Sequence, residues 1–353
     1  MSSGSTPDLP KMEYVRFGKT GLKVSRICLG CMSYGSPDWS PWIKGEEESI
    51  EQIKRAYEAG INFFDTADTY SSGLSEIILG KALRQIGAPR GRVVIATKCF
   101  FPVYDSPDGI KDFANFASDP ALINRVGLSR KHIFDAVDAS LKRLGVEYID
   151  LYQIHRLDTG TPMEEIMEAL NDLVRSGKVR YIGASAMTAW QFQKLNNIAE
   201  RRGWTKFVSM QNLYNLLFRE EEREMIPYCL DAGIAGIPYS PLASGIIAGN
   251  NRNTTRAGTW FLMTTIYPNT KQDSNDTIIA HVEEIAKKYN ATNAQIALAW
   301  HFAKPYSTSP IVGVSKIEQL YDLLGALKIK LTEEDVKYLE EPYTTRPPQT
   351  LNF

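Results

Sequence analysis

Cysteine and histidine are scarce in this chain, with four of each among 353 residues. Four thiols over that length build no disulfide framework, so reduced cysteines are expected. The histidines show no His-x-His or other paired ligand spacing, which argues against a metal hydrolase. Long hydrophobic runs are missing too. No stretch is apolar enough for long enough to span a bilayer, and the amino terminus MSSGSTPDLPK lacks the apolar core of a secretion signal; a cytosolic protein is expected, with residues 1–11 flexible. Charge of one sign is not in excess either. A formal net charge of -1 gives no general pull toward nucleic acid or anionic lipid, so an anionic ligand has to be held locally. Finally, no GxGxxG follows the first strand candidate, so a doubly wound dinucleotide-binding sheet is not supported.

What the chain does have is alternation. Short apolar or β-branched runs alternate with longer amphipathic ones, the pattern of βα units on a parallel sheet. The strand candidates are VSRICLG from Val24, INFFD from Ile61, RVVIATK from Arg92, YIDLYQIH from Tyr148, VRYIGAS from Val179, FVSMQ from Phe207, IAGIPYS from Ile234 and SPIVGV from Ser309. Between the first two, EESIEQIKRAYEAG places Ile50, Ile53 and Tyr57 at helical spacing and stops at Gly60. Eight such strands predict a closed (β/α)8 TIM barrel, spanning residues 1–353 as a single domain, and 43% hydrophobic residues supply an ample core. The opening MEYVRFGKTGLKVS alternates around Lys19-Thr20-Gly21, which predicts a hairpin plugging the barrel floor. Thr332 followed by Glu333, Glu334 and Asp335 predicts a last helix across the outside. Two long connections, roughly Phe100 to Leu128 and Ala243 to Asn275, follow strand ends and are candidate substrate lids.

Four polar residues sit near the ends of successive apolar segments: Asp65 and Tyr70 in INFFDTADTY, Lys98 in RVVIATK and His155 in YIDLYQIH. Strands that repeatedly finish on ionisable groups are how a barrel displays an active site. A tyrosine, with an ordinary pKa of about 10, donates a proton poorly at neutral pH. A nearby ammonium lowers that value and a carboxylate fixes the ammonium in place. Asp65, Lys98 and Tyr70 can supply those three parts, and His155 can bond the phenol or a substrate oxygen. Such a set suits protonation of an oxygen that turns negative, as a carbonyl does on receiving hydride.

At these residues the chain resembles the aldo-keto reductase superfamily. The likeness is carried by GINFFDTADTYSSGLSEIILGKAL, VVIATK, SLKRLGVEYIDLYQIHRLDTGTPMEEIMEALNDLVRSGKVRYIGAS, MQNLYNLLFREEEREMIPYC and PYSPLASG, and it runs from about Tyr14 to about Leu339. The QIHR and IGASAM variants are similar to the short-chain bacterial and fungal branch related to aryl-alcohol dehydrogenases and potassium-channel β subunits. The resemblance implies Tyr70 as general acid, Lys98 and Asp65 tuning it, His155 orienting a carbonyl, and NADPH as cofactor. It further implies Cys31, Met32 and Asp65 beside the cofactor, Ser185 and Gln211 on the carboxamide, and Tyr239 stacked on the nicotinamide ring. Ser240, Pro241, Leu242 and Ser244 would line the pyrophosphate; Gly313, Ser315, Lys316, Gln319 and Asp322 would form the adenosine site. Amides at a helix start together with the Lys316 ammonium suit a 2′-phosphate. One departure is Ala186, where many relatives carry Asn or another polar residue, so a carboxamide contact is expected to be missing.

Several other features have plainer explanations. Cys28-x-x-Cys31 lies in the first strand and its exit, where a thiol fills space, and Cys99 is expected to be inert although Lys98 adjoins it. His132, His281 and His301 read as structural or exposed. FREEEREM, Phe218 to Met225, reads as a solvated helix face. About half of the loop aromatics Tyr34, Trp39, Trp42, Phe100, Phe101, Tyr104, Tyr214, Phe218, Trp260 and Phe261 are expected to close over the core. The rest would wall a pocket for an aromatic or extended apolar carbonyl substrate. Two other functions fit less well: an NADP(H)-binding regulatory module with little turnover, and a Schiff-base aldolase using Lys98.

Overall fold

The computed structural model describes residues 9–106, 116, 119–249 and 273–347. Two short strands, β1 (Tyr14–Arg16) and β2 (Lys23–Ser25), pair antiparallel. Eight parallel strands follow: β3 (Cys28–Gly30), β4 (Phe63–Asp65), β5 (Val94–Cys99), β6 (Ile149–Ile154), β7 (Val179–Ser185), β8 (Ser209–Gln211), β9 (Ala235–Gly236) and β10 (Ile311–Val312). Their order in the sheet is β10-β3-β4-β5-β6-β7-β8-β9. The two outer strands meet as well, because Thr308 N donates to Gly236 O at 2.8 Å and Ile311 N to Pro238 O at 2.8 Å. The sheet is therefore closed into the expected (β/α)8 barrel.

Helices α1 (Glu46–Glu58), α2 (Leu74–Ile86), α3 (Arg130–Leu144), α4 (Met163–Arg175), α5 (Ala189–Arg202) and α6 (Met225–Ala232) each follow one strand from β3 to β8. Beyond β9 come α7 (Asp273–Tyr289) and α8 (Asn293–Ala303), and beyond β10 come α9 (Ile317–Leu324) and α10 (Glu333–Glu340). Helix α1 ends just before Gly60, whose φ of +92° an L side chain resists and where an added Cβ would meet Met12 Cβ at 2.8 Å. Helix α10 starts at Thr332, whose hydroxyl accepts from Asp335 N at 3.2 Å. Both helix boundaries were legible in the sequence.

Side-chain parity divides the strand residues between two cores, since successive residues of a strand face opposite sides. Cys28, Phe63, Val94, Ala96, Leu151, Ala235, Ile237 and Ile311 fill the barrel interior. Phe17 and Val24 of the hairpin join them from below, Phe17 standing edge-on to Phe63 at 5.7 Å, so the hairpin does plug the floor. Ile95, Cys99, Tyr152 and Ile154 face outward into the larger core beneath the helices. Continuing the inward set of β4, β5 and β6 beyond Phe63, Ala96 and Leu151 reaches Asp65, Lys98, Gln153 and His155. The barrel interior is apolar below and polar at the mouth.

Candidate active site

Lys98 is wholly buried and makes three contacts: Nζ donates to Asp65 Oδ2 at 2.5 Å, to Thr66 O at 2.8 Å and to the Tyr70 hydroxyl at 3.3 Å. The other carboxylate oxygen, Asp65 Oδ1, accepts from Gln153 Nε2 at 2.9 Å and from Gln211 Nε2 at 3.0 Å. Gln211 Nε2 also donates to Gln153 Oε1 at 3.0 Å. Lys98 and Gln153 are register partners on β5 and β6, so the sheet fixes their separation. The structure thus brings together the four residues singled out in the sequence and adds Gln153, quoted within YIDLYQIH but given no role. Its signal was a polar residue sharing the inward parity of Leu151 and His155.

Tyr70 comes from a turn rather than a strand. It opens the short 3₁₀ segment Tyr70–Gly73, in which Ser71 and Ser72 have φ of 47° and 51°. Left-handed backbone at a residue with a Cβ costs roughly 1–2 kcal/mol. Part of the compensation is visible: Ser36 N donates to Ser71 Oγ at 3.3 Å, tying this turn to the loop after β3. The Tyr70 ring meets His155 edge-on at 5.8 Å and Trp39 at 6.3 Å, and Phe101 meets His155 edge-on at 5.0 Å.

Burial decides the electrostatics of the mouth. Burial raises the pKa of the Tyr70 phenol; Lys98 pulls it down and Asp65 pushes it up, and it remains above the ordinary tyrosine value. The expectation that the ammonium alone would leave the phenol more acidic is thus corrected for the site as it stands. Burial works to lower the Lys98 pKa, but the Asp65 carboxylate, Tyr70 and the hydrogen bonds to both hold it above the usual lysine range. His155 is driven well below the usual histidine value, by burial first and then by Lys98 and Arg156, so its imidazole is neutral at pH 7. Its Nδ1 is buried without a hydrogen-bond partner.

The other expected contact residues lie at or beyond the carboxyl ends of the strands. Ser185 ends β7 opposite Gln211 of β8 and both are buried. Ala186, just beyond, has a φ of 44°. Tyr239 is half-buried, and Ser240, Ala243, Ser244 and Gly245 have φ of 52°, 48°, 57° and 95°. Within this turn Ala243 N donates to Ser240 O and Gly245 N to Leu242 O, both at 2.9 Å. Pro241 is buried and Leu242 half-buried within that turn. Cys31 is buried with its thiol toward Leu29 O at 3.8 Å, whereas Met32 keeps some surface. Lys316 is exposed at the N-cap of α9, with Gly313 and Gln319 exposed nearby. Gln319 Oε1 accepts from Ser315 N at 2.9 Å and from Lys316 N at 3.2 Å. Asp322 is already engaged: it accepts from Thr292 Oγ1 at 3.0 Å and Gln295 Nε2 at 3.0 Å, tying α9 to the start of α8.

The plainer readings fare unevenly. His132, His281 and His301 bond Gly127 O, Tyr338 O and Ser307 Oγ respectively and are structural. Burial raises the thiol pKa of Cys28, Cys31 and Cys99; Cys99 points away from Lys98, on the opposite face of β5. FREEEREM is not a solvated helix face. Glu220 is buried and accepts from Tyr343 Oη and Arg346 N, both at 2.7 Å, while Arg219 bridges Glu222 and Glu340. That segment clamps the carboxyl-terminal region to the barrel. Of the loop aromatics, Tyr34, Tyr214 and Phe218 are core, while Trp39 and Phe101 flank Tyr70 and His155. Trp260 and Phe261 lie outside the described residues, as do 107–115 and 250–272 of the two long connections.

A closed parallel barrel whose mouth holds a phenol, an ammonium and a carboxylate in contact defines a class of barrel oxidoreductases. The chain belongs to the Aldo/keto reductase family, whose sequence profile matches residues 26–343. It is 52% identical to the versiconal hemiacetal acetate reductase of Aspergillus parasiticus, over 95% of this chain and 98% of that one. It is 50% identical to a Schizosaccharomyces pombe protein named among the aryl-alcohol dehydrogenases, over 98% and 99% of the two chains. It is also 44% identical to an aldo-keto reductase of Alternaria alternata, over 95% and 93%. Among the described residues, no helix is long and apolar enough to cross a membrane.

Proposed function

We propose that the chain acts as a single barrel domain in the cytosol, reducing an aldehyde or ketone with an aromatic or extended apolar body to the alcohol with NADPH. The observation that carries this reading is the contact of Lys98 Nζ with Asp65 at 2.5 Å and with the Tyr70 hydroxyl at 3.3 Å. When bound, NADPH supplies the hydride for the carbonyl carbon. Tyr70 gives its proton to the carbonyl oxygen as charge develops there, and the fixed ammonium of Lys98 stabilises the phenolate left behind. Before that moment burial keeps the phenol protonated, which is the state a proton donor needs. His155, neutral, donates a hydrogen bond to the same oxygen and orients it. Asp65, held by Gln153 and Gln211, keeps Lys98 charged and aimed.

The residues around the mouth fit the cofactor. Tyr239 offers a half-buried flat ring, and the half-buried Ser240 and Ser244 of the turn after β9 offer hydroxyls for a pyrophosphate. Lys316, exposed at a helix start, offers a cation for a 2′-phosphate. The name of one relative, an aryl-alcohol dehydrogenase, favours an aromatic substrate. Trp39 and Phe101 beside Tyr70 and His155 support the same choice. A Schiff-base role for Lys98 is disfavoured because an amine held above its usual pKa is a poor nucleophile.

The test is NADPH oxidation with a panel of benzaldehydes, aryl ketones, quinones, glyceraldehyde and hexoses. Aryl carbonyls are expected to turn over fastest. Tight NADPH binding with no turnover on any of them would favour the regulatory module instead, and a strong preference for glyceraldehyde or hexoses would overturn the aromatic assignment.

A further inference from the structure

Arg156 immediately follows His155 at the barrel mouth and is 6% exposed. Its guanidinium stands 5.8 Å from the centre of the Phe101 ring, the ring that also packs edge-on against His155. Its one hydrogen bond among the described residues joins Nη1 to the carbonyl of its own neighbour, His155, at 2.7 Å. Nε is buried without a partner, and no ion pair among the described residues involves this side chain. The other buried cation of the mouth, Lys98, shows the contrast, because it has a carboxylate at 2.5 Å.

A buried guanidinium without a carboxylate is a poor folding device, since desolvating the charge costs on the order of several kcal/mol and one carbonyl and a ring face repay only part of it. Guanidinium donors form a rigid fork that matches a planar anion such as a carboxylate. The field of Arg156 also reaches the groups that would surround a substrate. On Tyr239 it is the largest influence after burial, and it acts on His155 behind burial and Lys98 and on Tyr70 behind burial, Lys98 and Asp65.

We propose that Arg156 is a specificity-determining residue whose guanidinium binds an anionic oxygen group, a carboxylate or phenolate, carried on the aromatic body of the substrate. This rests on the reading of the mouth as a carbonyl-reducing site and names a substrate class for it: aryl carbonyls bearing an acidic group. Phe101 supports the guanidinium from one side, and the anion completes the donors left over in Arg156.

Two measurements separate this inference from the reductase reading. The first needs no turnover: binding of benzoate and of benzamide to the NADPH-loaded protein, followed by tryptophan fluorescence. Wild type is expected to bind benzoate about ten- to a hundredfold more tightly, as for a charge-assisted contact, with the difference shrinking at high salt. Arg156→Gln is expected to abolish the difference and Arg156→Lys to restore part of it. The second is kcat/KM for 4-carboxybenzaldehyde against methyl 4-formylbenzoate, a neutral analogue of similar shape. The preference for the acid is expected to fall about tenfold or more in Arg156→Gln, mostly through KM. Equal binding of benzoate and benzamide by wild type would overturn the inference, and so would equal losses for acid and ester in the variant. If the acid preference appears in binding while neither aldehyde is reduced, the anion site stands and the reductase reading fails.

Discussion

The Lys98 ammonium donates to the Tyr70 hydroxyl at 3.3 Å, yet the phenol stays above its ordinary pKa. A cation and a dry environment act on the same group in opposite directions, and here the dry environment wins. The consequence is a donor that remains protonated until negative charge appears on a neighbouring oxygen. The ammonium then matters most, because it meets the phenolate in a site of low dielectric.

Tyr70→Phe removes that proton and little else. NADPH affinity is expected to stay within about twofold, while kcat for aryl aldehydes falls by about 10²- to 10⁴-fold. Fluorescence titration and steady-state kinetics check the two halves. A variant with wild-type kcat would exclude Tyr70 as the acid.

Lys98→Met strands the Asp65 carboxylate, which is buried and accepts only neutral amide donors once the ammonium is gone. Breaking a buried pair in this way is expected to cost about 3–5 kcal/mol of stability. The double variant Lys98→Met with Asp65→Asn should recover a large part of that loss, though not activity. Urea denaturation of the single and double variants decides it, and strictly additive losses would show that the two charges do not act as a pair.

Lys316→Ala tests cofactor choice. The loss of an exposed cation at the start of α9 is expected to weaken NADPH about tenfold and to change NADH little. Equal losses for both cofactors would mean that Lys316 does not read a 2′-phosphate.

Ala186 holds a left-handed φ of 44°, which alanine adopts at a cost and asparagine more readily. Ala186→Asn is therefore expected to stabilise the protein by about 0.5–1 kcal/mol and to tighten NADPH, since it adds a polar group next to Ser185. Thermal melting with and without cofactor measures both. A lower melting temperature together with unchanged affinity would refute the expectation.

His301 lies wholly buried, and burial first, then Arg26 and Lys304, outweigh a hydrogen bond donated to the Pro241 carbonyl to push its pKa down to about 3. The folded pKa is depressed, so the unfolded chain takes up the proton first. Its stabilising contribution is present above about pH 6.5 and is lost progressively as pH falls toward 3. His155 acts in the same direction. Glu221 acts oppositely: burial pushes it up to about 7, so its contribution declines as pH rises from 4.5 through 7. Comparing wild type with His301→Phe at each pH isolates the histidine, and the variant should lose less stability than wild type between pH 7.5 and 5. Parallel curves in urea denaturation would contradict this.

Most of the fold was legible because strand parity and helix periodicity are local properties. Each of the eight strand candidates overlaps a barrel strand, although all but β7 are shorter than the apolar runs, and Gly60 and Thr332 mark true helix boundaries. The candidate site was legible for a related reason: an ionisable residue closing an apolar run has few places to be except a strand end. Gln153 and Arg156 escaped because each was read only as part of a motif. Gln153 matters through a carboxylate on another strand, and Arg156 through the absence of one. FREEEREM misled because a run of charges in sequence does not say that Tyr343, Arg346 and Glu340 will fold back upon it.

The sequence by itself determined the number of strands, their inward faces and the kinds of group at the mouth, since these follow from residue type and the period of two along a strand. Tertiary structure alone decided the protonation states and the contacts. How far burial raises Tyr70, what holds Asp65, and whether Arg156 finds a counter-ion depend on solvent exclusion and distances set by several strands at once. No single segment encodes those quantities.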